Sequence, residues 1–202
     1  MNELHVQDLK RADVPPAAAV IAQALADNPT HRTVHGDDRQ RRVRNLERMS
    51  RLLLRSRSVP ALAAYGGDTV IGVLSVAPPH APSPSAIEQL RTLPALAPLG
   101  FGAIARLARY NADWTRQAPQ EAHWHLGPVA VAPAWQGHGA GRRLMDTFCA
   151  RVDERGGVVY LETDKPGNVA FYEHFDFRTV AEVDLIGVPY WVMRRPGRGE
   201  GA

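Results

Sequence analysis

The residues of this chain that could do chemistry concentrate in two short blocks. The first is Val129-Ala130-Val131-Ala132-Pro133-Ala134-Trp135-Gln136-Gly137-His138-Gly139-Ala140-Gly141-Arg142, where an apolar strand pattern gives way to three glycines in five positions and then to a helix start. Glycine lets a backbone approach a ligand closely, and the free N–H groups of a helix's first turn point into the loop before it. Such a loop is an anion cradle. A Walker loop would carry Lys and Ser or Thr after its last glycine, where this chain has Arg142-Arg143, and the spacing of Gly137, Gly139 and Gly141 is not that of a Rossmann fingerprint. The second block is Tyr160-Leu161-Glu162-Thr163-Asp164 followed by Asn168-Val169-Ala170-Phe171-Tyr172-Glu173-His174-Phe175-Asp176-Phe177. It sets a carboxylate at the end of an apolar strand and a tyrosine within a short aromatic helix.

The elements that must position these blocks can be read from periodicity. From His123 the pattern runs strand, glycine loop, helix over 141–154 and strand over 158–163, one βαβ crossover that forces two parallel neighbours. A helix over 168–175 and strands over 178–184 and 190–193 follow. Upstream, residues 5–9 read as a strand, and a helix from the Asp13 region through 17–26 stops near Asn28-Pro29. Asp37 or Asp38 can cap a helix holding eight arginines over 39–57, with Val43, Leu46, Met49 and Leu53 at helical intervals. Its arginines read as a solvated face; contact with nucleic acid or a membrane is the other reading, although no aromatic interleaving or nucleic-acid module accompanies them. Residues 61–65 and 70–76 flank Gly66-Gly67-Asp68 as a hairpin. Six prolines between Pro78 and Pro98 break any long element, and a helix over 101–114 should turn Ile104, Leu107 and Ala108 inward. This region reads as a flap over a substrate or as an inert connector. Antiparallel strands first and a central parallel pair later predict an α/β (α+β) mixed twisted sheet, mostly antiparallel, with helices on both faces.

With 202 residues, 45% of them hydrophobic and 22% charged, the chain can bury a sizeable core, and neither disorder nor a membrane protein is suggested. One domain over 1–196 with a disordered tail over 197–202 is expected. The opening Met1-Asn2-Glu3-Leu4-His5 lacks a signal-peptide pattern and no run reaches membrane-spanning length. The lone Cys149 cannot close an internal disulfide, which fits a reducing cytoplasm, and sits among Leu144, Met145, Phe148 and Val152 as a core thiol. His123 and His125 alternate on one strand, but no third ligand is in sight, so no metal is expected.

Taken together, the Gln136-x-x-Gly139-x-Gly141 loop, the Leu161-Glu162-Thr163 strand end, the helix from Asn168 to Glu173 and the late Trp191-Val192-Met193 strand resemble the GNAT N-acetyltransferases, and in motif detail their puromycin N-acetyltransferase branch. The resemblance covers nearly the whole chain and implies acetyl-coenzyme A as cosubstrate, with a splayed central strand pair to receive it. By that resemblance Val129 N–H would polarise the thioester carbonyl, Ala130 and Val131 would border the pantetheine, and Gln136, Gly137, His138, Gly139, Ala140, Gly141 and Arg142 would wrap the pyrophosphate. Arg142 opposes the helix dipole, which favours an anion as its partner. Tyr172 would protonate the departing thiolate, unless it is simply a core aromatic; Asn168 would cap its helix or bond the pantetheine arm. Glu162 is the expected base for the acceptor amine, with an exposed strand carboxylate as the bland alternative. Where such helices end in Gly-Phe this chain has Asp176-Phe177, and aspartate tolerates the left-handed turn. The implied reaction is direct attack by a primary amine of a small molecule in a ternary complex; a protein or peptide amine, or a non-catalytic acetyl-coenzyme A sensor, are the alternatives. A monomer or homodimer, with no nucleic-acid or membrane partner, completes the expectation.

Overall fold

The computed structural model describes residues 4–56, 58–79, 96–117 and 119–198. The proline-rich residues 80–95 of the expected flap, and 199–202 of the expected tail, lie outside the described residues.

Strands β1 (Leu4–Asp8), β2 (Ala61–Gly66), β3 (Thr69–Ala77), β4 (His123–Val131), β5 (Val158–Thr163), β6 (Arg178–Leu185) and β7 (Val188–Arg195) form one sheet in the order β1-β2-β3-β4-β5-β7-β6. Every neighbouring pair is antiparallel except β4 with β5. This is the mixed sheet that the element order implied. The apolar residues alternate along its strands, so each face buries its own set. On one face Leu62, Ile71, Leu74, Val159, Leu161 and Met193 pack under helix α5 (Ala140–Arg155) through Leu144, Met145, Phe148 and Val152. Cys149 is buried in this layer, as expected, and burial pushes its thiol up to about 11.

The opposite face carries helix α1 (Val14–Leu25), whose Ala17, Ala18 and Ile21 pack on Ala63, Val73 and Ala130. Farther along the same face lies helix α4 (Phe101–Gln117). Its inward residues are not those expected. Ala103 is buried and Tyr110 and Trp114 pack on β5, β6 and β7, whereas Ile104 and Ala108 face solvent and Leu107 is half-buried. The 3.6-residue pattern is present but rotated, because the two large rings, rather than the aliphatic residues, meet the sheet.

Two helices border α1. Pro29 opens helix α2 (Pro29–His35), an element the sequence reading missed by taking Asn28-Pro29 as a stop; proline suits a first helical turn, where its absent N–H costs nothing. Helix α3 (Arg39–Arg55) is capped by Asp38, whose carboxylate accepts from Arg41 N–H at 3.1 Å. Arg42 corrects the expected solvated arginine face. Its side chain is only 4% exposed, and its guanidinium donates to the carbonyls of Ala26, Gly36 and Asp37 and to the Asp27 carboxylate, at 2.6–2.9 Å. One arginine thereby fastens α3 to the end of α1 and the end of α2. Helix α6 (Pro166–Glu173) starts two residues before the expected position, again on a proline. Asp176 adopts φ 65°, the left-handed turn expected of it. Among the described residues no helix is long and apolar enough to cross a membrane.

Candidate active site

The site begins where two ladders fail. Val76 pairs with Leu126 and Leu74 with Val129, so β4 carries an extra residue against β3. Gly127 sits in that bulge, and a Cβ there would stand 2.6 Å from Ser75 Oγ, closer than any side chain permits. On the other edge of β4 the parallel ladder runs His123 to Val158, Trp124 to Val159 and His125 to Tyr160, and then ends. Beyond His125 the two strands part, and a cleft of about 440 Å³ opens there.

Val129, Ala130 and Val131 of β4 line one side of this cleft, with Gln136, Gly137, Gly139, Ala140, Gly141 and Arg142 continuing the wall. Gly137 and Gly139 hold φ of 79° and 83°, and Gly139 is the N-cap of α5. Only glycine adopts such angles without strain, which leaves the loop able to turn its amides and the N-terminus of α5 toward the cleft. Gln136 has a structural duty in this loop, because its Nε2 donates to Val131 O at 3.1 Å and ties the loop to the strand. Among the described residues Arg142 has no ion-pair or hydrogen-bond partner, whereas the adjacent Arg143 donates to Leu4 O at 2.7 Å. His138 is the exception in the expected set. Its Nδ1 lies 2.9 Å from Gln136 O, its ring stands edge-on to Trp135, and it does not line the cleft.

Helix α6 supplies the opposite wall through Asn168, Phe171 and Tyr172. Asn168 is not a cap: the helix begins at Pro166, and Asn168 Nδ2 donates to Thr163 Oγ1 at 3.0 Å, leaving its Oδ1. Tyr172 is both things the sequence allowed. Its ring packs edge-on to Phe171 and Phe177 in the core, yet it lines the cleft, and its hydroxyl has no hydrogen-bond partner among the described residues. Burial, aided by the Glu162 carboxylate, pushes its pKa well above the ordinary phenol range. The phenol therefore stays protonated at any physiological pH.

Glu162 does not line the cleft either. Its Oε2 lies 2.8 Å from His125 Nε2, across the point where β4 and β5 part. The parallel register explains the meeting: His125 is opposite Tyr160, and Glu162 follows two residues later on the same face. Periodicity could not reveal this pair, because it arises only once the register of two strands is fixed. Trp114 of α4 stacks on His125 with 5.8 Å between ring centroids. Burial works against protonating His125, but the charge and hydrogen bond of Glu162 outweigh it and raise the imidazole pKa above its ordinary value.

Ala24, Leu25, Asn28, Trp135, Lys165 and Phe171, which sequence reasoning did not select as site residues, also line the cleft. Asn28 Nδ2 donates to Asp164 at 3.3 Å, and the same carboxylate accepts from Thr30 N–H at 2.9 Å. Thr30 in turn bonds the Tyr190 hydroxyl, and Tyr190 packs against Tyr110. Among the described residues no group of three or more His, Cys, Asp or Glu side chains is placed to hold a metal ion.

The family model described as the acetyltransferase (GNAT) family matches residues 23–177. N-alpha-acetyltransferase RimI of Mycobacterium tuberculosis is 38% identical over 84 residues, covering 41% of this chain and 46% of that enzyme, so the match spans less than half of the relative's own length. A solved structure of histone acetyltransferase HPA2 and related acetyltransferase from Corynebacterium glutamicum has a TM-score of 0.74 at 20% identity, covering 98% of this chain and 99% of that one. A GNAT family acetyltransferase from Brucella melitensis, in complex with acetyl-CoA, has a TM-score of 0.51 at 17% identity, covering 95% and 88%. At these identities the two structures speak for the fold.

Proposed function

This chain belongs to the acetyltransferase (GNAT) family, and from that premise we propose that it transfers the acetyl group of acetyl-coenzyme A to a primary amine, by direct attack while both are bound. One observation carries the reading. The parted end of β4, the positive-φ glycines before α5, Arg142, unpaired among the described residues, and Tyr172 all line one cleft. Val129 N–H would polarise the thioester oxygen, where negative charge develops during attack. The loop amides and Arg142 would hold the pyrophosphate, and Val131 and Asn168 the pantetheine arm. His138 would contribute its backbone only, since its side chain turns to the loop itself. Tyr172 would give its proton to the departing thiolate, and the Glu162 region would receive the proton of the incoming ammonium.

The acceptor is proposed to be a small-molecule amine, as the motif resemblance to the puromycin branch implies. The 38% identity to RimI favours a second reading, the α-amine of a protein N-terminus. A panel of aminonucleosides, small amines and N-terminal peptides, assayed for free thiol release from acetyl-coenzyme A, tests both. Release with one class and not the other assigns the acceptor. Tight binding of acetyl-coenzyme A with no release across the panel would identify a sensor and overturn the catalytic reading.

A further inference from the structure

The geometry points to His125 as the group that takes the acceptor's proton, with Glu162 holding the imidazole in place rather than taking that proton itself. This rests on the acetyl-transfer reading and changes only where the proton goes. A carboxylate can only accept a hydrogen bond, so the contact between His125 Nε2 and Glu162 Oε2 at 2.8 Å fixes Nε2 as the protonated nitrogen of a neutral ring. The lone pair is then on Nδ1, which has no hydrogen-bond partner among the described residues. Trp114 stacks on the ring and sets its plane.

Exposure separates the two members of the pair. The Glu162 side chain is 13% exposed and that of His125 is 32%, so the imidazole is the more accessible member of the pair, and neither lines the cleft itself. His125 is also the last residue of β4 joined to β5, and the parting of the strands begins directly beyond it. The groups that face His125 are few. His123 on its own strand stands edge-on at 6.2 Å, Tyr160 and Glu162 come from β5, and Trp114 comes from α4. The charges of Glu121 and Arg194, beyond Tyr160, are paired with each other at 3.0 Å. Glu162 is the charge that acts on the imidazole, and it raises the pKa from the ordinary value of 6.5. An imidazole suits the removal of a proton from an ammonium better than a carboxylate does, because imidazoles as a class titrate nearer the working pH.

The step balances without a further reactant. An ammonium N–H bond breaks as the Nδ1–H bond forms, and the electron pair stays on nitrogen as the nucleophile. The resulting imidazolium pairs with the Glu162 carboxylate. The amine attacks the thioester carbon, the C–S bond breaks, and the thiolate takes the Tyr172 proton, which the nitrogen of the new amide replaces. The imidazolium then returns its proton to solvent.

Two measurements on the full chain decide the matter. In a nuclear magnetic resonance titration, His125 is expected to titrate above 6.5 in the native protein and to fall when Glu162 becomes Gln. In steady-state kinetics with the best acceptor of the panel, the acidic limb of kcat/KM is expected to follow that titration. Glu162→Gln should move the limb to lower pH, while His125→Gln should abolish it and lower kcat by about 10²- to 10⁴-fold with acetyl-coenzyme A affinity unchanged. A His125 titration indifferent to Glu162→Gln overturns the inference even if His125→Gln proves unstable. So does a limb that survives in His125→Gln and vanishes in Glu162→Gln, which would return the proton to the carboxylate. Native protein that releases no thiol with any amine overturns the acetyl-transfer reading itself, and the role of His125 with it.

Discussion

On one side of the cleft, β4, the glycine loop and the start of α5 present backbone: amides, two glycines at positive φ and the guanidinium of Arg142, which has no partner among the described residues. Beside it, around the ends of α1 and α2, the aromatic face of α4 and the junction of β4 with β5, side chains are bonded to one another, Asn28 to Asp164, Thr30 to Tyr190 and Glu162 to His125. The first wall is suited to a ligand whose shape never changes, such as a pyrophosphate and its pantetheine arm. The second can be altered residue by residue while the fold is kept. A family that shares one cosubstrate and varies its acceptor would need this division.

The comparison breaks first at Tyr172, which belongs to the α6 wall. Tyr172→Phe is expected to lower kcat by roughly 10- to 10⁴-fold with acetyl-coenzyme A affinity nearly intact. Unchanged kcat would return Tyr172 to the core aromatic that its Phe171 and Phe177 contacts also support.

Arg42 tests whether the side-chain wall depends on its tether. Arg42→Ala strands the carbonyls of Ala26, Gly36 and Asp37 and frees Asp27, whose carboxyl the hydrogen bonds of Arg42 and Arg39 hold below the usual range. A loss of about 3 kcal/mol in urea unfolding is expected, the scale of removing a buried side chain that makes one buried and three half-buried charge-assisted hydrogen bonds. If the variant folds, KM should rise, since Ala24, Leu25 and Asn28 beside the tether line the cleft.

The backbone wall is tested at Gly139. Valine there would force a β-branched residue to φ 83°, at a cost of about 1–2 kcal/mol, and would turn the loop amides away from the cleft. Acetyl-coenzyme A at 100 times its dissociation constant should stabilise the native protein by about 2.7 kcal/mol, seen as a rise in Tm, and Gly139→Val should abolish that rise. A full ligand shift in the variant would remove the loop from the binding site.

These two walls also differ in how far they could be read beforehand. The glycine loop, the crossover helix and the tyrosine helix are local patterns, each carried by a dozen adjacent residues, and of the expected cofactor set only His138 fails to reach the cleft. Helix α2, the buried Arg42 and the His125–Glu162 pair are different in kind. They depend on strand register and on which helix face meets the sheet, and no periodicity within one element encodes them. Pro29 misled because proline both ends and begins helices, and Arg42 because an arginine among seven others looks solvated until its partners are placed.

A smaller effect concerns acid. Burial lowers His31 and His35 to about 4, beside the side-chain wall. The unfolded chain binds protons at these residues below 6.5 while the folded chain does not, so stability present above pH 6.5 should be lost progressively as pH falls toward 4. Urea midpoints at pH 7, 6 and 5 should fall in that order, and His35→Gln should flatten the trend. A midpoint that holds steady over this window would show that neither ring is kept neutral by the fold.

The claim on which the rest depends is that the cleft receives acetyl-coenzyme A. An amide ¹H–¹⁵N titration of the native protein with acetyl-coenzyme A tests it most directly. Saturable shifts are expected at Val129 to Val131, Gly137 to Arg142, Asn168 and Tyr172, with β1 and β6 at the sheet edges unmoved. Shifts confined to other surfaces, or none at saturating cosubstrate, would contradict it.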